Sequence, residues 1–361
     1  MSNIKERHYF PGGNTSEGFY SFYDYIIDKK DANRIFCMKG GPGTGKSSLM
    51  KKIGKYYADQ GYSIEYHHCS SDNSSLDGVV IKELKVCILD GTSPHIVDPK
   101  YPIAIDEVLN MGDCLSTEIV SKNKQGVIEV SQAISNLFNR AYRFFASARH
   151  IYEDIAFYNN SYINKDKLAS IKNDLISSIV RENTKIGYGK ERHLFGTAFT
   201  PNGIVSYIPN IVEDISNQYV IDGDIGSGKS YVLNEVASNA RENGYDVEYY
   251  HTPLDHDKLE AIVIPELDAC IVSKNVISKL NISGVVYDMS TALATPIDEA
   301  VKKQIDYDYN IMMGLLNKGL QLIDDAHTEH DVLETFYISA MDFKKADSIY
   351  EDVIKKIDSY K

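Results

Sequence analysis

Apolar positions along the chain fall into three recurring patterns. Short unbroken runs at Ile35–Met38, Val86–Leu89, Tyr219–Ile221 and Ala269–Val272 have the length and content of buried strands. Alternation at Ile64 and Tyr66, and at Val247 and Tyr249, marks strands with one covered face. Helical spacing follows the first and third runs, in Leu49, Met50, Ile53, Tyr56 and Tyr57 and in Val232, Leu233, Val236 and Ala240. Gly61 and Gly244 stand where these helices would end. Residues 18–29, with Phe19, Phe22, Tyr23, Ile26 and Ile27, also read as a helix. Farther on, Ile134, Leu137, Phe138, Ala141, Phe145, Ala148, Ile151, Tyr152 and Ile155 form a long apolar stripe. Leu168, Ile171, Leu175 and Ile179 continue in a further helix, and residues 297–326 and 331–358 repeat the picture. Strands alternating with helices predict an α/β fold with mainly parallel sheets, each followed by a helical appendage of two or three helices.

The pattern occurs twice. Glu6, Arg7, His8 and Gly18 match Glu191, Arg192, His193 and Gly203 at an offset of 185. Residues 40–90 laid on 223–273 without a gap give eighteen identities in fifty-one pairs, enough to read two copies of one unit. The first unit is expected over 1–188, with its core over about 1–115 and its helices over about 116–185. The second is expected over 189–361, with its core over about 189–293 and its helices over about 294–361. The polar, glycine-spaced stretch 181–190 reads as the linker. Ile151-Tyr152-Glu153-Asp154-Ile155 and Ile349-Tyr350-Glu351-Asp352-Val353 read as echoes of each other within the helices.

Two glycine-rich segments change the picture from architecture to chemistry. Gly40, Gly45, Lys46 and Ser47 satisfy G-x-x-x-x-G-K-[ST], the phosphate-binding P-loop, between an apolar run and a helical one. Gly223, Gly228, Lys229 and Ser230 satisfy it again in the same setting. Glycines let backbone N–H groups curl round a phosphate, and the following helix adds its partial positive charge. The expected nucleotide contacts are Gly41, Gly43, Thr44, Gly45, Lys46, Ser47 and Ser48 in the first copy. In the second they are Gly226, Ser227, Gly228, Lys229, Ser230 and Tyr231. ATP with Mg²⁺ is the expected ligand, and Ser47 and Ser230 are the hydroxyls placed to ligate the metal.

A triphosphatase also needs an acid beside the metal. Val86-Cys87-Ile88-Leu89-Asp90 ends an apolar strand in a carboxylate, so Asp90 is the expected magnesium residue and Lys46 the group that stabilises the transferring phosphoryl. A turn-capping role for Asp90 before Gly91-Thr92-Ser93-Pro94 is the alternative. In the second copy Ser273 stands at that position, and Asp288, after Gly284-Val285-Val286-Tyr287, is the carboxylate that could substitute. The second site is therefore expected to bind rather than hydrolyse. Asp72, Asp77, Glu83, His68 and His95 are candidates for a base, with Asp72 and His68 matched by Asp255 and His251. A strand-end histidine satisfied by backbone is the favoured reading of His68 and His251. Arg7 and Arg192 are read as structural partners of Glu6 and Glu191 in preference to arginine fingers.

Composition narrows the partners. A net charge of −13 argues against a duplex nucleic-acid binder, which needs a basic face. No run approaches a membrane span, the start shows no apolar signal core, and five cysteines lack C-x-x-C spacing, so a cytoplasmic protein with reduced thiols is expected. A protein partner docking on the helical appendages remains open.

The chain resembles a bacterial family of tandem P-loop ATPases, found mainly in spore-forming Gram-positive organisms, over nearly its full length. The resemblance rests on Arg7-His8-Tyr9-Phe10-Pro11-Gly12-Gly13-Asn14-Thr15, Cys69-Ser70-Ser71-Asp72, Leu76-Asp77-Gly78-Val79, Leu89-Asp90-Gly91-Thr92-Ser93-Pro94-His95 and the two glycine loops. It implies ATP binding. The chain departs from the pattern at Ser273-Lys274-Asn275, which puts hydrolysis at the second site in doubt. Two other readings stay open: a kinase for a small acceptor, though no arginine-rich lid is found, and a non-catalytic nucleotide-gated binding protein.

Overall fold

The computed structural model describes residues 5–92, 96–180 and 187–361. His95, Ser93, Pro94 and most of the expected linker lie outside the described residues.

In chain order the first unit comprises β1 (Glu6–Tyr9), β2 (Gly12–Thr15), β3 (Gly18–Ser21), β4 (Arg34–Lys39), α1 (Lys46–Ala58), β5 (Ile64–His68), β6 (Leu76–Ile81), β7 (Val86–Asp90), β8 (Asp106–Asn110), α2 (Thr117–Lys122), α3 (Lys124–Ser161) and α4 (Lys165–Ile179). Its sheet runs β1-β5-β6-β7-β4-β8. Only β6 runs against its neighbours; the remaining pairs are parallel. The second unit comprises β9 (Glu191–Phe195), β10 (Thr197–Thr200), β11 (Gly203–Ser206), α5 (Ile208–Val212), β12 (Asn217–Asp222), α6 (Lys229–Glu242), β13 (Val247–His251), β14 (Leu259–Ile264), β15 (Ala269–Ser273), β16 (Val285–Asp288), α7 (Glu299–Ile338) and α8 (Phe343–Asp358). Its sheet, β9-β13-β14-β15-β12-β16, repeats the order of the first. The architecture is thus α/β, two six-stranded mixed sheets that are mostly parallel.

The helix expected over 18–29 is not there. Gly18–Ser21 pairs antiparallel with Gly12–Thr15, and only Tyr23–Tyr25 turns, as a single 3₁₀ turn. Gly18, at φ +105°, closes the hairpin, and the aromatic residues after it pack as a loop.

Both sheets bury their inner helix as the apolar spacing demands. Leu49, Met50, Ile53 and Tyr57 of α1 pack on Phe36, Met38, Val79 and Ile88. Val232, Leu233 and Val236 of α6 do the same on Ile221, Ile262 and Ile271. The surprise is what completes each core. Val353, Ile354 and Ile357 of α8 lie in the first unit's core, and Leu175 and Ile179 of α4 lie in the second's. The last helix of each unit is exchanged. Tyr57 seals the first exchange by donating its hydroxyl to Asp358 at 2.9 Å.

The exchange is carried by α3 and α7, of 38 and 40 residues, or nearly 60 Å each at 1.5 Å per residue. Phe336 packs at Gly126 and Phe145 at Gly319, so the two helices run antiparallel. The caps Asn164 and Asp342 show that α3 corresponds to α7, and α4 to α8. The apparent echo of 151–155 in 349–353 therefore joins helices that do not correspond.

A pseudo-two-fold axis relates the halves. Phe10 and Phe195 exchange both backbone hydrogen bonds at 3.0 Å across it. Around them Phe10 stacks on Tyr207 and Phe22 packs tilted against Phe195, with ring centres 5.0 Å apart in each case.

Candidate functional site

The first glycine loop joins β4 to α1. Its turn into the helix is made by Gly45, the N-cap, at φ +79°, a left-handed backbone that a side chain would strain. Thr44 tightens the loop, its hydroxyl donating to Gly41 O at 2.7 Å. Lys46 folds back and donates to Gly40 O at 2.7 Å and Gly41 O at 2.8 Å. Strand β7 lies directly beside β4, with Asp90 paired to Met38. This register sets the Asp90 carboxylate 3.4 Å from the Lys46 ammonium, with both side chains largely buried. Asp90 also accepts from Thr92 N at 2.8 Å, so the turn-capping and lysine-facing roles coexist. The Ser47 hydroxyl, on the first turn of α1, accepts from Leu76 N at 3.0 Å. Ser48 is exposed and takes no part in these contacts.

The second loop, between β12 and α6, copies this frame. Gly228 is the left-handed N-cap, and Ser227 donates to Asp224 O at 2.8 Å. Lys229 folds onto the Gly223 and Asp224 carbonyls. Burial drives its ammonium down to about 8, against the opposing pull of Asp224 and Asp222. The first copy's carboxylate is missing, because Ser273 ends β15. Asp288 does not replace it. It sits on β16, on the other flank of β12, and caps the next turn by accepting from Ser290 N at 2.8 Å. The Ser290 side chain, together with that backbone hydrogen bond, holds its carboxyl below the usual range. Ser230 opens α6, and Tyr231 beyond it is exposed.

Each loop is roofed by the other unit's long helix, which no local sequence pattern announces. Glu334 of α7 accepts from Gly43 N at 3.1 Å. A Cβ on Gly41 would meet the Tyr337 ring at 2.6 Å, and one on Gly43 would meet Ile338 at 2.9 Å. Over the second loop, Asn159 of α3 donates to Ile225 O at 2.7 Å, and a Cβ on Gly226 would strike the Ala156 backbone. The corresponding residues are Glu334 and Ala156, so at this position a carboxylate stands over the first loop and a methyl group over the second. The signal that could have found Glu334 is the offset of 178 between the helix caps Asn164 and Asp342, which only the structure supplies.

The remaining candidates disperse. Asp72 caps its own turn, accepting from Ser74 N at 3.0 Å, and lies 3.7 Å from His327 of α7. Asp255, its counterpart, lies 3.6 Å from Arg149 of α3. Glu83 accepts from Ser63 N at 2.9 Å, a turn contact. Asp77 is buried beside Tyr23. His68 and His251 are strand-end histidines held by backbone. His68 Nδ1 meets Asn73 O at 3.1 Å, so that nitrogen carries the proton and Nε2 accepts from His8 Nδ1 at 2.9 Å. His251 repeats this with His256 O and His193. Arg192 does not pair with Glu191; it grips the Glu65 carboxylate with both terminal nitrogens, at 3.1 and 2.6 Å, and donates to Tyr25 O across the unit boundary. Arg7 reaches Asn210 O and Asp214. Both arginines tie the halves together.

The residues around the first loop suit magnesium: Ser47, next to Lys46 in the chain, and Asp90, 3.4 Å from the Lys46 ammonium, offer hard oxygen donors. No helix among the described residues is long and apolar enough to cross a membrane. Comparison with known proteins finds no matching family model, no similar characterised sequence and no similar solved structure.

Proposed function

We propose that the protein is a tandem P-loop nucleoside triphosphatase that binds ATP at both glycine loops and hydrolyses it at the first. The observation that carries this is the Lys46–Asp90 pair at 3.4 Å, formed by neighbouring parallel strands at the mouth of a left-handed glycine turn. Lys46 is held by the Gly40 and Gly41 carbonyls, from which a triphosphate would draw it. Its charge then stabilises the transferring phosphoryl, whose transition state depends on positioning and electrostatics. Ser47 and Asp90 would hold Mg²⁺, which supplies neutralisation of phosphate charge when bound. The resemblance to the tandem ATPases of spore-forming bacteria supports the same reading. Its test is ATP turnover in wild type and Lys46→Ala. Loss of about a hundredfold or more is expected from removing a transition-state cation, and unchanged turnover removes the first loop from the mechanism.

One observation favours a second reading, a nucleotide-gated binding protein. The Glu334 carboxylate occupies a loop N–H that a phosphate oxygen would take. Nucleotide arrival at the first loop would then move α7, and the exposed face of the helices would present or withdraw a protein-docking surface. Binding of ATP without turnover in wild type selects this reading over hydrolysis.

A further inference from the structure

Three correlated differences separate the second site from the first. Asp90 is replaced by Ser273, Asp77 by Glu260 and Tyr23 by Ile208. In the first unit the Asp77 carboxylate is engaged with the Tyr23 hydroxyl. In the second unit that hydroxyl is gone, and the acid is one methylene longer. Glu260 is the bulged residue that precedes Ala261 in β14, at the end of the strand beside β15, where Ser273 ends its own strand.

Glu260 is 1% exposed. Its Oε1 accepts from Asn275 Nδ2 at 2.9 Å, while Oε2 makes no hydrogen bond of regular geometry and the Ser278 and Thr197 hydroxyls also reach the carboxylate. An unsatisfied buried carboxylate oxygen is costly unless something polar or cationic meets it. The side chain lines a cavity of about 40 Å³ together with Lys229, Ser230, Ser273, Asp255 and Lys258. That is room for a cation with a water or two. Burial raises the Glu260 carboxyl, and the facing Ser278, Thr197 and Asn275 side chains oppose the rise.

We infer that Glu260 is the metal-site carboxylate of the second loop, supplied from the neighbouring strand in place of the acid missing at Ser273, so that this loop takes its nucleotide as the magnesium complex. The inference rests on the reading of the glycine loops as triphosphate sites. Ser230 and Glu260 supply the oxygen donors, and Lys229 meets the phosphates.

The full-length chain tests both levels separately. Calorimetry with ATP and Mg²⁺ counts sites first. Lys229→Ala is expected to remove one site of two; an unchanged count overturns the nucleotide reading itself. With the first loop silenced by Lys46→Ala, ATP affinity is then compared with Mg²⁺ and with chelator. Magnesium is expected to tighten binding, and Glu260→Gln to remove about tenfold or more of that gain, leaving metal-free affinity unchanged or tighter. Glu260→Gln combined with Ser273→Asp is expected to restore the gain, because it returns the carboxylate to the first unit's position. If the amide variant melts early, Glu260→Asp carries the test, with a reduced gain expected. No magnesium gain in the Lys46→Ala parent, or a full gain in the folded Glu260 variant, overturns the inference.

Discussion

At the scale of single residues the two loops differ in charge more than in shape. Glu334 brings a carboxylate to Gly43 N, where a triphosphate would otherwise place its own negative oxygens. Glu334→Ala is expected to tighten ATP at the first loop about fivefold, from relief of roughly 1 kcal/mol of repulsion and competition. Titration of the Lys229→Ala background with ATP reads it out, and an unchanged Kd would show that the contact is no gate. The histidine pairs make a second residue-scale prediction. Burial and the neighbouring His8 lower His68 to about 4, and burial and His193 lower His251 to about 3. Both folded values lie below the unfolded 6.5, so the unfolded chain binds more protons as pH falls below 6.5. Their neutral forms therefore contribute fully above pH 6.5, and that contribution is lost as pH falls toward 4 and 3, on the order of 3 kcal/mol for His68 and 5 kcal/mol for His251. Urea midpoints at pH 7.5 and 5.0 are expected to diverge less in a His68→Gln, His251→Gln double variant than in wild type. Equal divergence would locate the acid lability elsewhere.

At the scale of elements, an amphipathic stripe tells that a helix buries a face but not against what. Ile349, Tyr350 and Val353 announced α8 in the sequence, yet its covering surface lies some three hundred positions earlier, on Met50, Ile53 and Tyr57. Ile357→Ala is expected to cost about 2–4 kcal/mol, as for other fully buried large-to-small changes. Hydrogen exchange should place the loss in β4 and α1 before β12 and α6, although Ile357 belongs to the second unit's chain. Faster exchange confined to α6 would contradict the exchange of helices. The same limit explains which strands were legible. β4, β7 and β15 are buried on both faces and, with the half-buried β12, read as unbroken apolar runs, and Asp90 at the end of one of them was legible with its strand. β8 and β16 are edge strands with exposed residues such as Val108, Val285 and Val286, and no periodicity marks them. The hairpin Gly12–Ser21 depends on Gly18 and on Phe195 from the other half, neither of which a local window weighs. The roof over each loop was illegible for the same reason: Glu334 and Ala156 look like ordinary helix positions until the fold sets them on Gly43 and Gly226.

At the scale of the whole molecule, neither half is complete. Residues 1–188 lack the helix that closes their own core and carry one that belongs to the other sheet. Expressed separately, 1–188 and 189–361 are each expected not to form a folded monomer, and mixing them is expected to give a 1:1 complex with the circular dichroism and melting of the intact chain. Size-exclusion chromatography decides it, and a stable monomeric half would show the exchange to be dispensable. The pairing of Phe10 with Phe195 has a further consequence. A pair of identical chains meeting there would be a closed homodimer, and any change to one glycine-loop site would be forced on its twin. Covalent fusion lifts that constraint. One centre is free to keep Asp90 under a glutamate lid while its sister adopts Ser273 beneath Ala156, so a symmetric scaffold houses two specialised tenants in a single polypeptide.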